Sequence, residues 1–121
     1  MQVLYVEDDQ ASQQLIKKGL EKEGFEIFLA DSGLAAIEML KKYRFDALIL
    51  DIMLPGIDGF QVGRSTRKES KNKDIAIILL SAHPYALREY DAKWLKPIAS
   101  LTKPVRFEKL IKALNSAKDS K

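Results

Sequence analysis

The sequence predicts a doubly wound three-layer α/β domain, a parallel sheet covered by helices on both faces. Short apolar, β-rich runs alternate with stretches of helical period, giving five strands and five helices along the chain. A length of 121 residues suits one domain with a single core. Right-handed crossovers between successive parallel strands then place the helices on both sides of the sheet.

Each element has a local reason. "VLYV" (3–6) is a first strand that runs into Glu7-Asp8-Asp9. Residues 10–23 place Ala11, Leu15, Ile16, Gly19 and Leu20 at helical spacing, with Asp9 as a candidate cap and Gly24 as the stop. "EIFLA" (26–30) is a second strand, and Ser32 is placed to cap a helix carrying Leu34, Ala35, Ile37, Met39 and Leu40. "ALIL" (47–50) is the third strand, followed by a loop and a helix over 59–68. "DIAIILLSA" (74–82) is the fourth strand, with a weaker helix near 85–92 after it. A short strand near 98–101 precedes the last helix, 106–117, whose stripe is Phe107, Leu110, Ile111 and Leu114. Residues 1–115 read as the domain and 116–121 as a polar tail.

Composition narrows the function. With no cysteine, disulfide frameworks and zinc-thiolate sites are excluded. No apolar run approaches the ~20 residues that cross a bilayer. The start "MQVLYVEDD" turns acidic before a signal-peptide core forms, so a cytoplasmic location and no membrane partner are expected. The net charge of +3 is a small excess, without the basic stripe and interleaved aromatics of a nucleic-acid footprint. No direct nucleic-acid binding by this domain is expected.

Open parallel sheets bind ligands outside the carboxyl ends of their strands. Here those ends carry Glu7-Asp8-Asp9, Asp51, Ser81 and Thr102-Lys103-Pro104. If the first and third strands are neighbours, several carboxylates converge, and either a shared proton or a cation must relieve their repulsion. A hard divalent ion such as Mg²⁺ takes oxygen ligands and uses only one or two carboxylates, which suits an open site of Asp8 and Asp51. Each acid taken alone also reads as a helix cap at a strand exit; taken together with Lys103 they read as a site.

Four stretches resemble a known family: "VEDD" after the first strand, "LILDIMLPGIDGF" around the third, "ILLSA" ending the fourth and "LTKP" ending the fifth. In order and separation they resemble the receiver domain of two-component response regulators, over essentially the full chain. The resemblance implies a flavodoxin-like sheet of order 2-1-3-4-5. It implies that Asp51 accepts a phosphoryl group from a phosphohistidine on a histidine kinase or histidine phosphotransfer protein. By the same resemblance, Mg²⁺ is held by Asp8, Glu7 (through water), Asp51 and the backbone carbonyl of Met53. Lys103 pairs with Asp51, aimed by a cis bond to Pro104, and Ser81 is the switch hydroxyl. Small Ala82 leaves room for the phosphoryl group, while Pro55, Gly56 and Gly59 shape the backbone after Asp51. Such a domain catalyses its own aspartyl phosphorylation and dephosphorylation rather than turning over a substrate.

Two positions depart from the family pattern, and two more, Met53 and His83, stand where the family's residues flank the phosphoryl group. Ser100 stands where an aromatic switch residue is usual, three residues before the lysine. Tyr85, Tyr90 and Trp94 are substitutes for that switch or simply packing. Val105 replaces the usual Phe after Lys-Pro, and His83 lies two residues beyond Ser81, where it either influences hydrolysis or is an exposed loop residue. The alternative function is a degenerate receiver, a scaffold that binds partners without phosphorylation. Ser100 is its only support, and a scaffold has no need of Glu7, Asp8, Asp51, Ser81 and Lys103 together. An aspartate-nucleophile phosphatase or phosphotransferase usually has a second acid two residues after the nucleophile, where this chain has Met53. A dinucleotide-binding domain lacks its G-x-G-x-x-G after the first strand. The output is a downstream protein or a fused effector domain, and homodimerisation through the last two strand–helix units is left open. Arg106, Lys109 and Lys112 on the last helix either meet an acidic partner or form its wet face, the latter being the simpler reading.

Overall fold

The computed structural model describes residues 1–68, 71–82 and 95–119. Its elements are β1 (Gln2–Val6), α1 (Gln10–Lys22), β2 (Glu26–Ala30), α2 (Gly33–Lys42), β3 (Ala47–Asp51), α3 (Gly59–Lys68), β4 (Ala76–Ser81), β5 (Ala99–Thr102) and α4 (Phe107–Asp119). The five strands are parallel, in the order β2-β1-β3-β4-β5. The expected strand order is therefore observed. Four helices lie among the described residues; the fifth expected one, near 85–92, falls outside them, as do His83, Tyr85, Tyr90 and Trp94.

Side chains alternate across the sheet with the strand period of two. Leu4, Val6, Leu48, Leu50, Ile77 and Leu79 face α2 and α3, where Ala36, Leu40, Phe60 and Val62 complete one core. Val3, Tyr5, Ile49, Ile78 and Leu80 face the opposite way, onto Ile16, Leu20, Leu110 and Leu114 of α1 and α4. β3 is buried at all five positions, which is why its sequence is a continuous apolar run rather than an alternating one.

The helix ends follow the expected capping chemistry. Asp9 Oδ2 accepts from the Ser12 amide and hydroxyl, and these bonds hold its carboxyl below the usual range. Ser32 Oγ accepts from the Ala35 amide at the start of α2. Gly24, with φ at 93°, turns the chain out of α1. Asp58 and Gln61 cap α3 reciprocally, each side chain accepting from the other's amide at 2.9 Å.

Helix faces differ from expectation in two places. Leu15 and Leu34 are turned outward, each 64% exposed, while Gln13 is buried in α1. The Gln13 side-chain amide donates to the Glu7 carbonyl at the end of β1. α4 runs on to Asp119 with Ala117 buried, so part of the stretch expected as tail is helix.

Two polar side chains, one buried and one half-buried, tie the ends of the elements together. Asn72, 2% exposed, accepts from the Phe45 amide and donates to the carbonyls of Leu40 and Tyr43. Arg67 on α3 donates to the carbonyls of Leu95, Lys73, Ile75 and Lys96, fastening the approaches to β4 and β5. Burial lowers its pKa, and the nearby charge of Asp74 opposes that shift.

Candidate functional site

Adjacent strands bring the predicted acids together. β1 pairs with β3, so Glu7 and Asp8 emerge beside Asp51, the last residue of β3. One ligand oxygen from each of Glu7, Asp8 and Asp51 lies within 4.8 Å of the others. Glu7 and Asp51 are buried and Asp8 is exposed, so the cluster has solid walls and a side open to solvent.

Lys103 closes the group from the end of β5. Its Nζ lies 2.5 Å from Asp51 Oδ2 and 2.6 Å from Glu7 Oε1. Burial works against the ammonium, but the hydrogen bonds and charges of Asp51 and Glu7 outweigh it, leaving its pKa above that of an ordinary lysine. The Lys103–Pro104 peptide is cis. The Lys103 amide also donates to the Ser81 carbonyl at 2.8 Å, fixing the lysine's backbone against the end of β4. A charge at the end of the most buried strand thus has its neutralising partner 52 residues further along the chain.

The remaining contacts hold the carboxylates in place. Asp51 Oδ1 accepts from the Met53 amide at 3.0 Å, an Asx-type turn that starts the loop toward α3. Glu7 accepts from the Tyr5 hydroxyl at 3.3 Å and from the Asp9 amide at 3.4 Å. Tyr5 is 1% exposed; burial first, and then the negative charge of Glu7, push its phenol above the ordinary range. The hydroxyl of Tyr5 was not among the residues singled out from the sequence. Its signal was weak, because a tyrosine in an apolar strand reads as core.

The other predicted residues take the following places. Ser81 is fully buried at the end of β4, one residue beyond Leu80, which pairs with Asp51. Ala82 is exposed beside it, and Met53 is 57% exposed after β3. Pro55 is exposed, and Gly56 has φ at 76°, a conformation that favours glycine. Gly59 has a different reason to be glycine. A Cβ there would stand 2.5 Å from the Asp51 carbonyl oxygen and 2.6 Å from Ile52 Cα, so the start of α3 sits directly on the end of β3. Ser100 is exposed on β5, paired with Leu79.

The hard-oxygen donor set, together with a single amine, is chemistry for a divalent cation and for a group carrying several negative charges. The likeness to known proteins is consistent with that. Residues 3–115 match the response regulator receiver domain family. The transcriptional regulatory protein CusR of Escherichia coli is 37% identical over 113 residues, covering 92% of this chain and 48% of CusR. The chain spans about half the length or less of the curated relatives it matches. Among solved structures, a sensor protein from Polaromonas sp. JS666 has 31% identity and a TM-score of 0.91, covering 98% of this chain and 96% of that one. The receiver domain of sensor histidine kinase PA1611 from Pseudomonas aeruginosa PAO1, with a magnesium ion in its active-site cleft, has 28% identity and a TM-score of 0.87, covering 95% and 94%. Sequence, sheet order and the gathered acids agree, and the chain belongs to the family of response regulator receiver domains of two-component systems.

Proposed function

We propose that the domain is a cytoplasmic, phosphorylation-dependent switch in which Asp51 accepts a phosphoryl group from a phosphohistidine of a histidine kinase or phosphotransfer protein. The carrying observation is the bridge from Lys103 Nζ to Asp51 Oδ2 and Glu7 Oε1, at 2.5 and 2.6 Å, beside the open carboxylate cluster. In this reading an oxygen of Asp51 forms a bond to phosphorus as the bond from phosphorus to the donor imidazole breaks, and the released imidazole takes a proton. Asp51 is held for this by the Met53 amide on its other oxygen. Lys103 moves its hydrogen bonds from the carboxylate to the phosphoryl oxygens, where negative charge is greatest. Ser81 supplies a hydroxyl to the same group from the neighbouring strand, and Ala82 keeps that side uncrowded. Glu7, Asp8, Asp51 and the Met53 carbonyl fit Mg²⁺, whose charge would offset that of the phosphoryl group and the clustered acids. With Ser100 in place of an aromatic, Tyr85, Tyr90 and Trp94 are the candidates for carrying the report to a downstream protein or effector domain.

Incubation of the protein with Mg²⁺ and a small-molecule phosphodonor, followed by intact mass measurement, tests the assignment. The expected result is one phosphoryl group on the wild type and none on Asp51→Asn or in the presence of a chelator. Equal labelling of all three samples would remove Asp51 from the reaction.

A further inference from the structure

The net charge of +3 conceals two ends of opposite sign. Glu7, Asp8, Asp9, Asp31 and Asp51 all lie at or just beyond the carboxyl ends of β1, β2 and β3. The amino end of the sheet carries Lys41, Lys42 and Arg44 between α2 and β3, and Lys71 and Lys73 before β4, all exposed. Asp46 in the first segment and Glu69 and Asp74 in the second oppose them, so the five cations still outnumber the acids there. The segments are held against each other: Asn72 binds the Phe45 amide and the carbonyls of Leu40 and Tyr43, and Lys71 Nζ donates to the Lys42 carbonyl at 3.0 Å. The basic side chains therefore project from an ordered backbone rather than from a loose run.

Two hollows meet at Phe45. One, of about 260 Å³, lies among Arg44, Lys71, Asn72, Lys73 and Asp74, with three cations against one acid. The other, of about 390 Å³, is lined by Gln2, Phe28, Met39, Tyr43 and Phe45. Tyr43 is 58% exposed and Phe28 38% exposed, and Phe28 stacks edge-on against Phe45 at 5.7 Å between centroids. Apolar side chains thus stand open to water next to a row of cations, with Tyr43 and Arg44 at the junction.

We propose that this end of the sheet docks an acidic protein segment bearing an aromatic or aliphatic anchor. The anchor fills the hollow over Phe28, Met39 and Tyr43, and its acidic neighbours meet Arg44, Lys71 and Lys73. Charge complementarity selects an anionic partner, and the adjoining apolar hollow selects a protein side chain over a phosphate backbone. A nucleic-acid strand needs a continuous cationic track, which Asp46 and Asp74 interrupt. The five residues of β3 span about 17 Å, so the surface is well separated from Asp51 and a partner held there leaves the acidic site accessible.

The probe is a fluorescein-labelled synthetic peptide of Asp and Glu flanking a central Phe-Leu pair, titrated into the full ¹⁵N-labelled chain. Amide shifts are expected at residues 26–28, 41–45 and 71–75. Arg44→Glu with Lys73→Glu should weaken binding by about tenfold or more, as should Tyr43→Ser or replacement of Phe-Leu by Gly-Ser in the peptide. These side chains are exposed, and Asp51→Asn should leave the affinity unchanged, separating this surface from the phosphoacceptor site. No shifts at millimolar peptide, shifts centred on the last helix or the acidic end, or tighter binding of single-stranded oligothymidylate than of the peptide would each overturn the proposal.

Discussion

Replacing Lys103 by Met removes the amine and keeps most of the aliphatic stem that packs beside the site. Lys103 is the only cation bonded to Glu7 and Asp51 among the described residues, and the side chains of those acids are 1% and 5% exposed. Breaking a buried ion pair typically costs about 3–5 kcal/mol, because the partner charge is left without compensation. The lysine side chain is itself 27% exposed, so solvent screens part of the interaction. A loss of roughly 2–3 kcal/mol follows, or a midpoint lower by about 10 °C for a domain of this size.

Magnesium should act in the opposite direction and unequally. Without the ammonium, the carboxylates present a stronger anionic site, and a cation bound at a hundred times its dissociation constant stabilises by about 2.7 kcal/mol. Urea unfolding of wild type and Lys103→Met, each with chelator and with millimolar magnesium chloride, gives the four free energies required. The variant should be much weaker than wild type in chelator, and magnesium should recover more stability in the variant. Equal stability of the two proteins in chelator, or equal gains from magnesium, would refute the electrostatic account.

Three further outcomes are expected. Asn72→Ala leaves the Phe45 amide and the carbonyls of Leu40 and Tyr43 without partners, so urea unfolding should show a loss of about 3 kcal/mol. Gly59→Ala must push apart the end of β3 and the start of α3, costing about 2 kcal/mol and slowing phosphorylation of Asp51 in the same mass assay. Stability should fall above about pH 10 by up to ~1.4 kcal/mol per pH unit, because the unfolded chain loses the Tyr5 proton while the folded one keeps it. The raised pKa of Lys103 has the same sign: its contribution is intact below the unfolded value and disappears as pH rises through the folded one. Tyr5→Phe should flatten the alkaline slope, and an unchanged slope would show that the phenol titrates normally.

The first four strands were legible because each is short and largely apolar with charge or glycine nearby, whereas β5, Ala-Ser-Leu-Thr, is half polar; β2 and α3 fall on the residues expected. Asp51 was legible for the opposite reason: a carboxylate ending a fully buried strand violates the local pattern. What stayed hidden depends on contacts between distant segments. Helical spacing places Leu15 on the inward stripe and Leu34 inward or across the core edge, yet both are exposed, while Gln13 takes a buried place on α1 and donates to the Glu7 carbonyl. Arg67 and Asn72 gave no signal, since a basic residue and an amide near a helix end usually face water, and only the folded carbonyls at the end of α2 and at residues 73, 75, 95 and 96 make them structural.

The two halves of the Asp51–Lys103 pair are held with unequal firmness, and the sheet explains why. Asp51 belongs to a strand bonded on both sides, to β1 and β4, with every residue buried. Gly59 places the backbone of α3 against its carbonyl, which removes the last direction in which the strand end can relax. Lys103 follows the four-residue edge strand β5, whose burial alternates between partial and exposed, and its side chain keeps 27% exposure. Any group added to Asp51 therefore finds a carboxylate that cannot retreat and an amine that can be redirected.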